Sequence, residues 1–137
     1  MFDEAGRDVP GNWYYHASMP SYGIENCSDC VWEGEAVRWA GAQGIAFTIS
    51  LPRVPLELVM TGVRFDGGRQ ITQMNLTFHD LKLKAVSDGS GAYAWNLPYP
   101  VSAPWIKCVI HAEGVSPDAD VSQLFCFSGI TVRRRRG

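Results

Sequence analysis

The segment from Trp32 to Leu51 most constrains what this chain can fold into. Residues 45 to 51 alternate strictly, with large apolar side chains at odd positions and small or polar side chains at even positions. Successive side chains of an extended strand point to opposite faces, so this alternation predicts a strand with one buried face. A polar-aromatic strand, Glu35 to Trp39, precedes it, and small residues form the turn between them. An apolar face opposite a small polar face is typical of a half-buried antiparallel strand.

The same pattern recurs along the chain between proline- and glycine-rich breaks. Further strands are predicted at residues 13–17, 56–65, 73–78, 81–86, 92–97, 105–113 and 123–134. Two of them should form a hairpin that turns at His79 and Asp80, and Gly129 predicts a bulge or kink in the last strand. No segment has the period of an amphipathic helix of useful length. Eight or nine strands at this spacing predict an all-β fold, a two-sheet antiparallel β-sandwich that is jelly-roll-like.

The alternation also predicts which side chains form the core. The predicted core consists of Val37, Phe47, Ile49, Leu58, Met60, Leu76, Phe78, Leu83, Ile106, Cys108, Ile110, Leu124, Cys126 and Ile130.

Length and composition predict one domain that covers residues 1–137. Residues 1–31 form an irregular lead-in with one short strand, and its aromatic residues should pack it against the sandwich; residues 133–137 form a basic tail. Hydrophobic residues at 46% and charged residues at 19% exclude a disordered chain. The net charge of -2 gives no general attraction to nucleic acid, and no apolar run is long enough to span a membrane.

The four cysteines do not have the spacing of a zinc site. Cys27 and Cys30 form one close pair, but Cys108 and Cys126 lie eighteen residues apart on separate predicted strands. Cys108 and Cys126 alternate with apolar residues and are expected to be small buried hydrophobes, with a disulfide or a metal site as the alternatives. The acidic, polar start lacks the features of a secretory signal, so we expect a reducing, cytoplasmic location.

The motifs of common enzymes are missing. The sequence has no nucleophile elbow, no P-loop and no dinucleotide fingerprint, and its three histidines lack metal-ligand spacing. Asp29, Glu33 and Glu35 lie near two tryptophans, and paired carboxylates can hydrolyse glycosides. The alternative is a polar strand end balanced by Arg38. Asp-Gly loops offer oxygen ligands for calcium, although turn chemistry explains them equally. We therefore predict no catalytic residues, no metal and no cofactor.

An ordered series of short motifs resembles a known class of domain. The motifs are WEGEAVRW, IAFTISLP, LELVMTGV, MNLTF, YAWNLP and SQLFCFSGITV. In this order they resemble the β-sandwich accessory domains of bacterial glycosyltransferases that build cell-surface polysaccharides, and more loosely the jelly-roll carbohydrate-binding modules. The residues that match the outline are Glu35, Arg38, Trp39, Leu51, Pro52, Leu124 and Ile130. The resemblance implies a non-catalytic carbohydrate-binding or glycan-positioning domain, with a saccharide or a glycosyltransferase as its partner.

Aromatic side chains stack on sugar rings, and charged side chains bond to their hydroxyl groups. The predicted ligand surface consists of Trp32, Glu35, Arg38, Trp39, Tyr93 and Trp95. The alternative for the first four is that Trp39 closes the end of the sandwich while Glu35 pairs with Arg38. Two other functions stay open: an interaction module that docks a catalytic partner, and a small glycan-active enzyme. Exposed tryptophans favour sugar binding, buried ones favour a scaffold, and apposed carboxylates in a cleft favour an enzyme.

Overall fold

The structure, a computed structural model, describes residues 13–19, 23–50, 55–66, 73–87, 89–97, 105–116 and 118–134. The side chains of Trp13, Ser50 and Arg134 lie outside this description. In chain order the strands of the described part are β1 (Trp13–His16), β2 (Ile24–Glu25), β3 (Val31–Trp32), β4 (Ala36–Ala40), β5 (Ile45–Ser50), β6 (Leu56–Thr61), β7 (Arg64–Phe65), β8 (Met74–Phe78), β9 (Leu81–Lys84), β10 (Val86–Ser87), β11 (Tyr93–Leu97), β12 (Trp105–Ala112), β13 (Phe125–Phe127) and β14 (Gly129–Arg134).

These strands form three sheets, and every strand pair is antiparallel. The first sheet has the order β1-β14-β6-β11-β10, the second β2-β5-β12-β8-β9, and the third β3-β4-β13-β7. The described residues contain no helix, and therefore no helix that could cross a membrane. The all-β prediction is confirmed and the arrangement is sandwich-like. The expectation of two sheets is corrected to three, and the strand order does not establish a jelly roll.

One core joins the three sheets. The alternation of β6 is as predicted, because Leu56, Leu58 and Met60 are buried while the residues between them are half-buried. Every predicted core residue is buried except Leu83, which is half-buried and packs against the core from the edge strand β9. The predicted hairpin is also present, since Phe78 pairs with Leu81 across a two-residue turn.

The lead-in contributes more structure than the sequence predicts. Besides the predicted strand β1, it contains β2 and β3, which have two residues each and lie at the edges of the second and third sheets. A strand of two residues is too short to show an alternating pattern. The formation of β2 and β3 is therefore determined by the strands next to them and not by the local sequence. At the other end β14 extends to Arg134, two residues into the predicted tail. Tyr22, Leu51, Pro52 and residues 135–137 lie outside the described residues.

Candidate functional site

The third sheet presents a row of three side chains. Trp39 pairs with Cys126, and Cys126 pairs with Arg64 on the next strand, so the three side chains share one face. Trp39 is half-buried, Arg64 is exposed, and Cys126 between them is fully buried. Burial raises the pKa of the Cys126 thiol, and the charge of Arg64 opposes that rise. The Trp39 indole and the Arg64 guanidinium therefore face solvent, while the Cys126 thiol between them is buried and inert.

The Glu33 carboxylate contacts both outer members of this row, Trp39 and Arg64. It belongs to the three-residue turn between β3 and β4, in which Gly34 has a φ of 82° and supplies the left-handed conformation that such a turn requires. The indole Nε1 of Trp39 donates to Glu33 Oε2 at 2.9 Å, and the Arg64 guanidinium lies 3.7 Å from the same oxygen. This pair of contacts sets the orientation of the indole. The sequence signal for the contact is a carboxylate six residues before a tryptophan, across a glycine turn.

The loop 27–30 forms one wall beside Trp39. The backbone N–H of Ser28 donates to the Trp39 carbonyl at 2.8 Å, and the backbone N–H of Trp39 donates to the Ser28 Oγ at 2.9 Å. Cys27 makes a further bridge to Ala40. Two reciprocal bonds and a bridge hold this loop on β4 in one position. It is therefore a preformed wall.

The opposite wall is the segment 119–123. Its Val121 carbonyl accepts a bond from the Ala42 N–H at 2.9 Å, and the Leu124 N–H donates to the Ala40 carbonyl at 2.7 Å. Between the walls lies an open groove of about 470 Å³. The polar side chains that line it belong to Asn26, Ser28, Gln43, Asp120, Ser122 and Gln123. A second recess of about 430 Å³ shares Ser28, Trp39 and Gln123 with the groove and adds Asp29, Val31 and Glu33. We call the two together the Trp39 groove.

Arg38 does not belong to the Trp39 groove. It is only 7% exposed, and its guanidinium donates to three backbone carbonyls: Nε to Ala17 at 3.1 Å, Nη1 to Ser28 at 2.9 Å and Nη2 to Met19 at 2.9 Å. The prediction that Arg38 faces a ligand is corrected, and so is the alternative that it pairs with Glu35. Its role is to hold the turn after β1 and the loop 27–30 against β4.

Trp32 and Glu35 are exposed but do not line the groove. Trp32 is 75% exposed and pairs with Ala36, which places it on the opposite face of the sheet from Trp39. The Glu35 carboxylate lies beside Gly62. The expectation of one surface made by these residues with Arg38 and Trp39 is therefore corrected, because adjacent positions on a strand point to opposite faces.

Tyr93 and Trp95 are core residues and not ligand platforms. Tyr93 is 8% exposed and Trp95 is 1% exposed, so the expectation that both reach solvent is corrected. The reason is that β11 lies inside the first sheet between β6 and β10, and its apolar face, which includes Leu97, turns toward the core. The rings of Tyr93 and Phe65 form a T-shaped pair.

The cysteines are free thiols in the described structure. Cys108 and Cys126 are fully buried, which confirms their placement as small apolar residues. Burial raises the pKa of Cys27, and the Arg38 charge partly offsets this. In the described part of the chain no group of three or more histidine, cysteine, aspartate or glutamate residues converges as metal ligands would. That no metal or cofactor is used stays a prediction.

Comparison with known proteins gives one likeness in structure. No family model and no curated protein matches the chain. The fold is similar to part of a solved structure described as a novel family GH115 4-O-methyl-alpha-glucuronidase with specificity for decorated arabinogalactans, with a TM-score of 0.50 and 8% sequence identity. The likeness covers 96% of this chain and 18% of the glucuronidase chain, so the present chain corresponds to less than a fifth of that protein's length. At this identity the likeness concerns the fold alone.

Proposed function

We propose that this chain is a non-catalytic domain that binds a saccharide in the Trp39 groove. The observation that supports this most is the indole of Trp39, half-buried, fixed through its N–H to Glu33 at 2.9 Å, and surrounded by amide and hydroxyl side chains. The combination matches what a sugar ring offers, an apolar face surrounded by hydroxyl groups.

The contact to Glu33 matters because it orders the indole before any ligand arrives. An ordered side chain loses little conformational entropy on binding, so more of the stacking energy remains as affinity. One stacked aromatic contributes roughly 0.5–1.5 kcal/mol beyond its buried area. An open groove with one such side chain should therefore bind with a Kd nearer millimolar than nanomolar.

One structural likeness and one sequence resemblance lead to a narrower hypothesis. The structural neighbour is described as a glucuronidase, and its fold likeness to this chain is the first support for a carbohydrate-related setting. The sequence resemblance to accessory domains of bacterial glycosyltransferases supports a role in cytoplasmic polysaccharide synthesis beside such an enzyme. The structural likeness and the sequence resemblance enter the proposal as hypotheses about the setting in which this domain works, and neither identifies the sugar.

The absence of catalysis is part of the proposal. Asp29 and Glu33 share one recess, which is the carboxylate pair that an enzyme hypothesis would use. Glu33, however, already accepts a hydrogen bond from the Trp39 indole on its Oε2, and the Arg64 guanidinium lies 3.7 Å from the same oxygen, so side chains of the protein itself occupy this oxygen. We therefore assign this carboxylate the role of orienting the Trp39 indole and not a role in acid–base chemistry. Incubation of each ligand with the protein should release no reducing sugar.

A docking module is the second candidate function. The observation in its favour is that Trp32 is 75% exposed and Val31 is 39% exposed on β3, an edge strand of the third sheet. Exposed apolar residues on an edge strand are typical of a contact with another protein.

A titration separates the two candidates. A panel of neutral bacterial oligosaccharides should be titrated into wild type, Trp39→Ala, Gln123→Ala and Trp32→Ala while amide chemical shifts are followed. Trp39→Ala should abolish binding and Gln123→Ala should weaken it by about three- to tenfold, the value of one hydrogen bond. Trp32→Ala is the matched control and should bind as wild type does. Melting curves should show that each variant is folded.

Binding that depends on Trp32 and not on Trp39 would refute the site. A folded protein that binds no member of the panel would refute saccharide binding at this groove and favour the docking module.

A further inference from the structure

The three lysines of the chain lie on one face of one sheet. Lys82 and Lys84 belong to β9, and Lys107 belongs to β12. In register, Lys82 pairs with Thr77, and Thr77 pairs with Val109, which lies two positions beyond Lys107 on the same side of β12. The alternate residues of β12 are buried, so this side is the outer face of the second sheet.

The outer face also presents an exposed indole. Trp105, Lys107, Val109 and His111 follow one another along this side of β12, about 7 Å apart along the strand. Trp105 is 65% exposed. The face therefore combines cations with an aromatic ring, two kinds of side chain that recognise a charged sugar.

Two of the lysines make no ion pair with another described residue. Lys84 lies 3.3 Å from Glu113, but within the described part of the chain neither Lys82 nor Lys107 makes an ion pair. Glu25, on the edge strand β2, is a further carboxylate on this face, and Glu113 also lines the groove described below, so three lysines here stand against two glutamates. The face is thus locally positive on a chain whose net charge is -2.

A groove on this face adjoins the Trp39 groove. Its volume is about 400 Å³, and Lys82, Asn75, Thr77, His111 and Gln43 are among the residues that line it. Gln43 also lines the Trp39 groove, so one side chain borders both.

We propose that the outer face of the second sheet is a second saccharide-binding surface, specific for sugars that carry a carboxylate, and that one oligosaccharide occupies it and the Trp39 groove together. This inference rests on the proposed function. The unpaired Lys82 and Lys107 bind the carboxylate groups, while the amide and hydroxyl side chains bind sugar hydroxyls. Three lysines are too few for a nucleic-acid surface, which neutralises many phosphates.

The test uses ligands that differ only in charge. Hexamers of galacturonate, mannuronate and glucuronate should each be compared with the same hexamer after its carboxylates are reduced to alcohols, by calorimetry with wild type, Lys82→Gln and Trp39→Ala. Arg133→Gln is the matched control, because it removes one positive charge from the first sheet. A single-stranded DNA hexamer is a further probe.

At least one uronate hexamer should bind more tightly than its reduced form. Lys82→Gln should weaken that uronate by about two- to fivefold, as expected for one exposed ion pair, and leave the reduced form unchanged. The charge preference should also diminish in 0.5 M salt. Arg133→Gln should bind both forms as wild type does, and Trp39→Ala should weaken both.

Equal binding of charged and reduced hexamers, with loss on Trp39→Ala, would overturn the cationic surface and leave the proposed function standing. No binding of any hexamer would overturn both. If the protein prefers uronates but Trp39→Ala binds them as wild type does, one saccharide site that spans both grooves is overturned. Tighter binding of DNA than of uronates would overturn it as well.

Discussion

Removal of the Arg38 side chain should be among the most damaging single changes in this protein. Arg38→Ala deletes three charge-assisted hydrogen bonds and leaves the carbonyls of Ala17, Met19 and Ser28 without that donor. Each such bond contributes about 1.5–3 kcal/mol, but the sum is reduced because the guanidinium no longer has to be desolvated. We expect a net loss of about 3–5 kcal/mol in the free energy of unfolding.

The corresponding fall in melting temperature follows from chain length. With about 2.1 cal/mol/K of unfolding entropy per residue, a chain of 137 residues loses about 10–17 °C. Urea titration followed by tryptophan fluorescence measures the free energy of unfolding directly. An unchanged m-value would show that wild type and Arg38→Ala unfold from a similar native state. Arg38→Lys should lie between wild type and Arg38→Ala, because one ammonium cannot reproduce the guanidinium fork.

The control is an arginine whose partner is at the surface. Arg133 bonds Glu57 at 2.9 Å through Nε, and its side chain is 48% exposed, so Arg133→Ala should cost less than about 1 kcal/mol. If Arg38→Ala costs no more than Arg133→Ala, the buried guanidinium does not hold the lead-in, and the reasoning is wrong.

Three further predictions test the core, a buried thiol and a turn. Leu76→Ala should cost about 2–5 kcal/mol in urea unfolding, because Leu76 is fully buried. Burial raises the pKa of Cys108 to about 12 from 9.0, so the neutral thiol stabilises the fold fully below pH 9 and this stability is lost as pH rises toward 12. Cys108→Ala should therefore have a shallower decline in melting temperature over that range, while chelator and reductant should leave the wild-type melting temperature unchanged. Gly44→Ala should cost about 2 kcal/mol more than Gly89→Ala, because both glycines have positive φ but only at Gly44 would a Cβ overlap with the Ile110 carbonyl. A pair of equal costs would show that backbone strain alone matters.

The sequence predicts the strands better than it predicts their surroundings. The alternation in β5, β6 and β8 identifies buried positions such as Phe47, Leu58 and Leu76, because period two depends on local geometry alone. The hairpin turn at His79 and Asp80 follows from the same pattern. The third sheet could not be predicted from this pattern, because β3 and β7 have two residues each and form only where longer strands offer them an edge.

The site residues are harder because their roles depend on distant backbone. Arg38 is buried by carbonyls that lie 10 to 21 positions away, so no local pattern separates it from an exposed arginine. The burial of Trp95 could have been predicted from the sequence, because Tyr93, Trp95 and Leu97 share the apolar side of β11. Of the predicted ligand residues, Trp39 lines the groove that is named after it and the other five do not, and Glu33 was not included in the predicted set although it fixes the indole.

The pairing of β1 with β14 has a mechanical consequence. Trp13 lies opposite Val132, so the chain enters β1 and leaves β14 at the same end of this ladder. A force applied through residues 13 and 134 would load the bonds one after another, as in a zipper, and not all at once. β1 should therefore peel away at low force until His16. The next resistance comes from the bond of the Ala17 N–H to the Ser128 carbonyl and from the guanidinium of Arg38, which holds the carbonyls of Ala17 and Met19. Together they would protect the remaining sheets from the pull.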